Sequence, residues 1–178
     1  MTAGPILVIG RTGQVAQALA HAGGASVICL GRPDADLKVD ASLERALDRH
    51  GPIAVINAGG FTLVDKAEVE PDEARLLNVD GPRALARACS ARGIPMIHLS
   101  TDCVFDGESA RPYRPDDAPS PICIYGQTKL DGELAVAEEF DSHLIVRVSW
   151  IFSRFGHNFV RTMLSLARTR DRVSVVSD

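Results

Sequence analysis

Aromatic residues make up only 5% of this 178-residue chain, tryptophan occurs once, and acidic side chains outnumber basic ones to leave a net charge of -4. The basic excess that binding a phosphate backbone requires is missing, and the lysines and arginines are scattered, so nucleic acid is not an expected partner. No apolar run approaches the ~20 residues of a membrane-spanning helix. The opening MTAGPILVIG also lacks the basic flank and cleavage site of a signal peptide. No membrane partner is expected, and the compartment reads as cytoplasmic. The cysteines Cys29, Cys89, Cys103 and Cys123 form no Cys-x-x-Cys pair, and the histidines show no two-ligand zinc spacing, so free thiols and no metal site are expected. What is present, 46% hydrophobic and 24% charged residues without repeats or low-complexity tracts, suits a single folded domain over residues 1–178.

Short apolar runs recur at intervals too long for hairpins: PILVIG from Pro5, SVICL from Ser26, IAVIN from Ile53, IPMIHLS from Ile94, HLIVRVS from His143 and RVSVVS from Arg172. Between them QVAQALAHA, ASLERALDRH, VDGPRALARACSARG, TKLDGELAVAEEF and NFVRTMLSLARTR carry helical periodicity. Near-continuous apolar strands alternating with helices predict an α/β Rossmann-type fold, a doubly wound parallel sheet with helices on both faces. The stretch DGESARPYRPDDAPSPIC is the one long connection, and its length marks it as functional or mobile.

The first strand runs into IGRTGQVAQAL, a Gly-x-x-Gly-x-x-Ala form of the dinucleotide fingerprint at Gly10, Gly13 and Ala16. Gly10 permits the tight turn, Gly13 lets backbone approach a pyrophosphate, and the helix N-terminus supplies amide donors. Gly10, Thr12, Gly13, Gln14 and Val15 are therefore candidate cofactor contacts. The second strand ends in CLGRPDAD, where an NAD site would place an acid for the ribose hydroxyls. Arg32 stands there instead. A guanidinium pairs with a 2′-phosphate, so NADP(H) is the preferred cofactor, with NAD(H) left open.

Strand four ends in HLSTDCVFDG, which puts Ser100, Thr101 and Asp102 at the carboxyl edge of a central strand, where open α/β sheets bind ligands. Tyr125 and Lys129 in IYGQTKLDGE are spaced i, i+4 and share a helix face. That spacing can be accidental, or it can bring a cation to a proton-donating phenol. A cation at ~4 Å is worth about 4 kcal/mol at an effective dielectric of ~20, or up to ~3 pKa units. His98, inside an apolar run, is read as a hydrogen-bonded core residue. Asp65, Lys66 and Glu68 fit a charged helix start.

Together GRTGQVA, NAGGFTLVDKAEVEP, LSTDCVFDG, YGQTKLDGE and RVSWIFSRFGHNFVRTML span most of the chain. On these motifs it resembles the extended short-chain dehydrogenase/reductases, and within them the dTDP-4-dehydrorhamnose reductase branch. The resemblance implies hydride transfer from NADPH to the C4 ketone of a nucleotide-linked 4-keto-6-deoxysugar, giving dTDP-L-rhamnose. It casts Tyr125 as proton donor, Lys129 as the residue that lowers its pKa and holds the nicotinamide ribose, and Thr101 as a hydrogen bond to the ketone oxygen. It adds Asn57, Ala58, Gly59, Phe61 and Ser100 to the cofactor contacts, and Asp102 and Trp150 to the substrate contacts. Gly126 is read as room for the cofactor and Gly60 as a turn residue.

The match has departures. Cys103 replaces a tyrosine, which changes bulk beside Thr101. The first helix carries no acid, so a metal-bridged homodimer is not expected, while an unbridged one stays open. Family members also continue for roughly another hundred residues into a small substrate-binding domain, so this chain reads as the cofactor domain with that part largely absent. Two other functions stay open: a non-catalytic NADP-binding subunit resembling the regulatory subunit of methionine adenosyltransferase, and a sugar-nucleotide epimerase or dehydratase.

Overall fold

Five of the apolar runs form strands, β1 Ile6–Ile9, β2 Val27–Leu30, β3 Ala54–Asn57, β4 Met96–Thr101 and β5 His143–Val148, in a computed structural model that describes residues 4–175. They make one parallel sheet in the order β2-β1-β3-β4-β5. The chain goes from β1 to β2 on one side and then returns to place β3 on the other. Strand order reverses between β1 and β3, and a crevice opens at their carboxyl ends. The register brings Ile9 beside Leu30 and Asn57. Across the other half it pairs Thr101 with Val148, so the strand ends meet along one edge. The sixth strand expected from Arg172 does not form over residues 172–175, which are irregular, and its last two residues lie outside the described ones.

The helices are α1 Gln14–Gly23, α2 Asp40–His50, α3 Val64–Ala67, α4 Pro71–Arg75, α5 Gly81–Ser90, α6 Ile124–Glu139 and α7 Phe159–Leu166. Local sequence explains their ends. Gly51 stops α2 in the left-handed conformation at φ 49, its N–H returning to Leu47. Pro71 stands in the first turn of α4, where a missing N–H costs nothing. On one face of the sheet α2, α5 and α6 bury Leu7, Ile9, Leu43, Leu47, Leu85, Met96 and Val136. Truncating such a leucine to alanine typically costs 2–5 kcal/mol.

α6 has no apolar stripe, because its buried side carries Thr128, Lys129 and Glu133 beside Ala135 and Val136. Two glycines let neighbouring backbone press against it. A Cβ on Gly132 would lie 2.0 Å from the Asn78 carbonyl oxygen, and one on Gly126 would lie 2.1 Å from that of Cys103. Gly126 therefore admits the turn after β4, not a cofactor, which corrects the sequence expectation. Between α4 and α5 the backbone makes a π-helical turn at Leu76–Asp80, a feature that often marks a site.

The long connection before α6 is ordered by its own contacts. Tyr113 stacks on Phe105 with ring centroids 4.3 Å apart, and Arg111 forks onto Asp117 at 2.7 and 2.8 Å. α7 buries no residue, and Trp150, 78% exposed, meets Phe159 edge-on at 5.6 Å. Among the described residues no helix is long and apolar enough to cross a membrane.

Candidate active site

Two adjoining clefts occupy the crevice. One, about 370 Å³, is lined by Gly10, Arg11, Gly31, Arg32, Ala35 and Leu37; the other, about 570 Å³, by Gly13, Gln14, Val15, Ala58, Thr101 and Tyr125 among others. Thr12, Gly59 and Gly60 belong to both. The glycine loop is thus the saddle between an outer cleft at the β2 edge and an inner one over β4.

The loop's backbone fits a phosphate. Gly10 has φ 129, and a Cβ there would press on Ala58 backbone at 3.2 Å. At Gly13 a Cβ would meet nothing within 4 Å, so that backbone faces open space. Gly13 also caps α1 without a side-chain acceptor, which leaves the first-turn amides free for an anion.

Candidate cofactor residues Gly10, Thr12, Gly13, Gln14, Val15, Arg32, Ala58, Gly59, Phe61, Ser100, Tyr125 and Lys129 all line one cleft or the other. Asn57 does not. It is fully buried, its amide meeting His98 Nδ1 at 3.0 Å and its oxygen accepting from Gly59 N at 3.2 Å. It shapes the loop from beneath. His98 is the core residue expected, with burial holding its pKa well below the ordinary imidazole value.

Thr101, Asp102, Trp150, Tyr125 and Lys129 converge on the inner cleft. Thr101 Oγ1 donates to Asp102 Oδ1 at 3.0 Å and accepts from Cys103 N at 3.2 Å. Asp102 also accepts from Ser149, the residue before Trp150. Trp150 is the one non-glycine residue with positive φ among those described, at 49. Left-handed backbone at a tryptophan is strained and tends to persist where a site over-determines it. Cys103 lines the same wall, its thiol pKa raised chiefly by burial.

Tyr125 corrects one expectation. Its pKa is raised, not lowered: burial dominates, and a hydrogen bond with Thr101 only partly offsets it. Lys129, on the same cleft, donates its ammonium to the Leu99 carbonyl at 2.6 Å. Burial pushes its own pKa down to about 8, against the opposing effect of Glu133.

Several residues that build the site were not singled out from sequence. Arg11 points to the Arg32 carbonyl at 3.2 Å and lies 4.0 Å from Asp34, which puts two guanidinium groups at the outer cleft. Glu68, read from sequence as part of a charged helix start, instead follows the end of α3, where it accepts the Ile124 N–H at 2.8 Å and so caps α6 one residue before Tyr125. Asn78, on the π-helical turn, clamps both backbone groups of Phe61 and bonds Thr128.

Fold and site together define a class: a Rossmann-type domain with the glycine loop, Thr101 and Tyr-x-x-x-Lys of a short-chain dehydrogenase/reductase. The chain belongs to the family described as RmlD substrate binding domain, whose model matches residues 4–178. It is similar to dTDP-4-dehydrorhamnose reductases of Sinorhizobium fredii and Streptomyces griseus, at 44% and 42% identity over 97% of this chain. The chain spans 59% and 58% of those relatives' lengths. The crystal structure of the Bacillus anthracis dTDP-4-dehydrorhamnose reductase in complex with NADP superposes with a TM-score of 0.93 at 30% identity. That match covers 98% of this chain and 63% of the other.

Proposed function

We propose that this chain is the cofactor-binding and proton-donating part of an NADPH-dependent reductase of dTDP-4-dehydrorhamnose, working in the cytoplasm on a nucleotide sugar. The observation that carries this is the meeting of Thr101, Tyr125 and Lys129 on the inner cleft, next to a free helix N-terminus on the glycine loop. The relatives' names and the NADP in the B. anthracis structure support it.

The reduced nicotinamide, when bound, supplies the hydride. The chain's own residues supply the rest. The first-turn amides of α1 hold the pyrophosphate, and Arg11 and Arg32 take a 2′-phosphate. Thr101 and Tyr125 receive the ketone oxygen, and the phenol gives its proton to the alkoxide that forms. Reduction needs that phenol neutral, and the burial that raises its pKa keeps it so. Lys129 then steadies the phenolate left behind, while Asp102 faces the sugar hydroxyls.

NADPH consumption with dTDP-4-dehydrorhamnose tests the proposal, with a parallel titration of NADPH against NADH. Substrate-dependent oxidation and tighter NADPH binding are expected. Saturable NADPH binding without turnover, even in a version extended by the native C-terminus, would instead favour a regulatory subunit.

A further inference from the structure

Beneath the inner cleft lies an ion pair that the reaction does not use. Arg147 on β5 donates to both carboxylate oxygens of Glu133, through Nε at 2.9 and 3.2 Å and Nη2 at 2.6 Å. Glu133 is 6% exposed. The remaining nitrogen, Nη1, donates to the Pro115 carbonyl at 3.2 Å, and the guanidinium sits 5.0 Å from the Phe105 ring centroid. A buried pair of this kind contributes little net stability, because desolvation offsets the attraction. Stability alone does not account for it.

Glu133 follows Lys129 by four residues on α6, one turn along the same buried face. The hydrogen bond of Lys129 goes to a neutral acceptor, the Leu99 carbonyl. We propose that Glu133 is a positioning residue that keeps Lys129 cationic beside Tyr125, and that Arg147, which takes both carboxylate oxygens and ties them to the segment after β4, moderates that effect. The purpose of this arrangement rests on the reductase reading, but its test does not.

Other charges around α6 are accounted for. From β4, His98 is neutral under its burial. From the turn after β4, Asp102 and Cys103 act on Tyr125. Glu68, just after α3, sits at the start of α6, and Arg75 of α4 pairs with Asp131. Arg83 and Arg87 of α5 pair with Glu138 and Glu139, one turn and more beyond Glu133. Glu133 is the charge that opposes the burial of Lys129.

The chain has only three lysines, Lys38, Lys66 and Lys129. Lys38 and Lys66 are paired with Glu73 and Glu70. An NMR titration of the chain labelled at lysine Cε therefore reads Lys129 directly. In E133Q its midpoint should fall by about one pH unit or more, a tenfold loss of proton affinity. In R147M it should rise above wild type, in E133Q/R147M it should fall between E133Q and wild type, and E133D should restore it. An unchanged midpoint in E133Q, or the same direction of shift in E133Q and R147M, would overturn the proposal. Should E133Q fail to fold, E133Q/R147M carries the test, and a midpoint at or above wild type would overturn it. Failure of the reductase reading would show separately, as absent ketosugar reduction with this ordering intact.

Discussion

Lys129 Nζ donates to the carbonyl oxygen of Leu99 at 2.6 Å in a place where the residue is only 5% exposed. That contact makes the lysine a buried cation whose pKa falls to about 8 because burial disfavours its charge. Tyr125 moves the other way, its pKa raised by the same cause. On rising pH the lysine is therefore the first of the pair to lose its proton. Turnover by this site should decline as pH rises through about 8, and a pH profile of kcat/KM checks this. A limb near the free-lysine value would contradict the geometry.

The same burial predicts a conflict between stability and activity. Lys129 has a folded pKa below its unfolded value, so folding at neutral pH is opposed by the charge, and stability should increase as pH rises from about 8 toward 10.5. Lys129→Met removes the penalty along with the bond to Leu99. Denaturant unfolding at pH 7 should show the variant equal to or more stable than wild type, by up to ~3 kcal/mol, with reductase activity lost.

Tyr125→Phe removes only a hydroxyl from an α6 residue that packs against the cluster of Phe61, Ala67 and Ala74. NADPH binding should persist within a few-fold, while kcat falls by roughly 10²–10⁴. Fluorescence titration and steady-state rates separate the two effects.

At the outer cleft, Arg11 and Arg32 predict cofactor choice. Each guanidinium lost should weaken NADPH by roughly 10- to 100-fold, as expected for a charge-assisted hydrogen bond worth about 1.5–3 kcal/mol. NADH, without the 2′-phosphate, should bind nearly as before. Parallel titrations of Arg11→Ala and Arg32→Ala check this.

How much of this was visible in the sequence follows from distance along the chain. The glycine loop and the Tyr125–Lys129 spacing are local, so one strand-to-helix turn and one helical turn were enough to place them. The strands and most helices were legible for the same reason, since periodicity is also local. Glu68 reaches Ile124 across 56 residues, and the Asn78 bond to Thr128 spans 50. No short pattern reports contacts that only the folded sheet creates. The direction of the Tyr125 shift was lost the same way: spacing gave the lysine's side of the helix, but not the burial that raises the phenol's pKa. Gly126 was misjudged because its neighbour, the Cys103 carbonyl, lies 23 residues upstream and meets it only after folding.

The central claim is that this cleft delivers a hydride to a sugar ketone while Tyr125 delivers the proton. Incubating the chain with NADPH deuterated at the transferable C4 position and dTDP-4-dehydrorhamnose, and locating the deuterium in the product by mass spectrometry, tests it directly. The account predicts deuterium at the sugar C4 with wild type and its near-complete loss in Tyr125→Phe. A product without deuterium, or transfer undiminished in Tyr125→Phe, would contradict it.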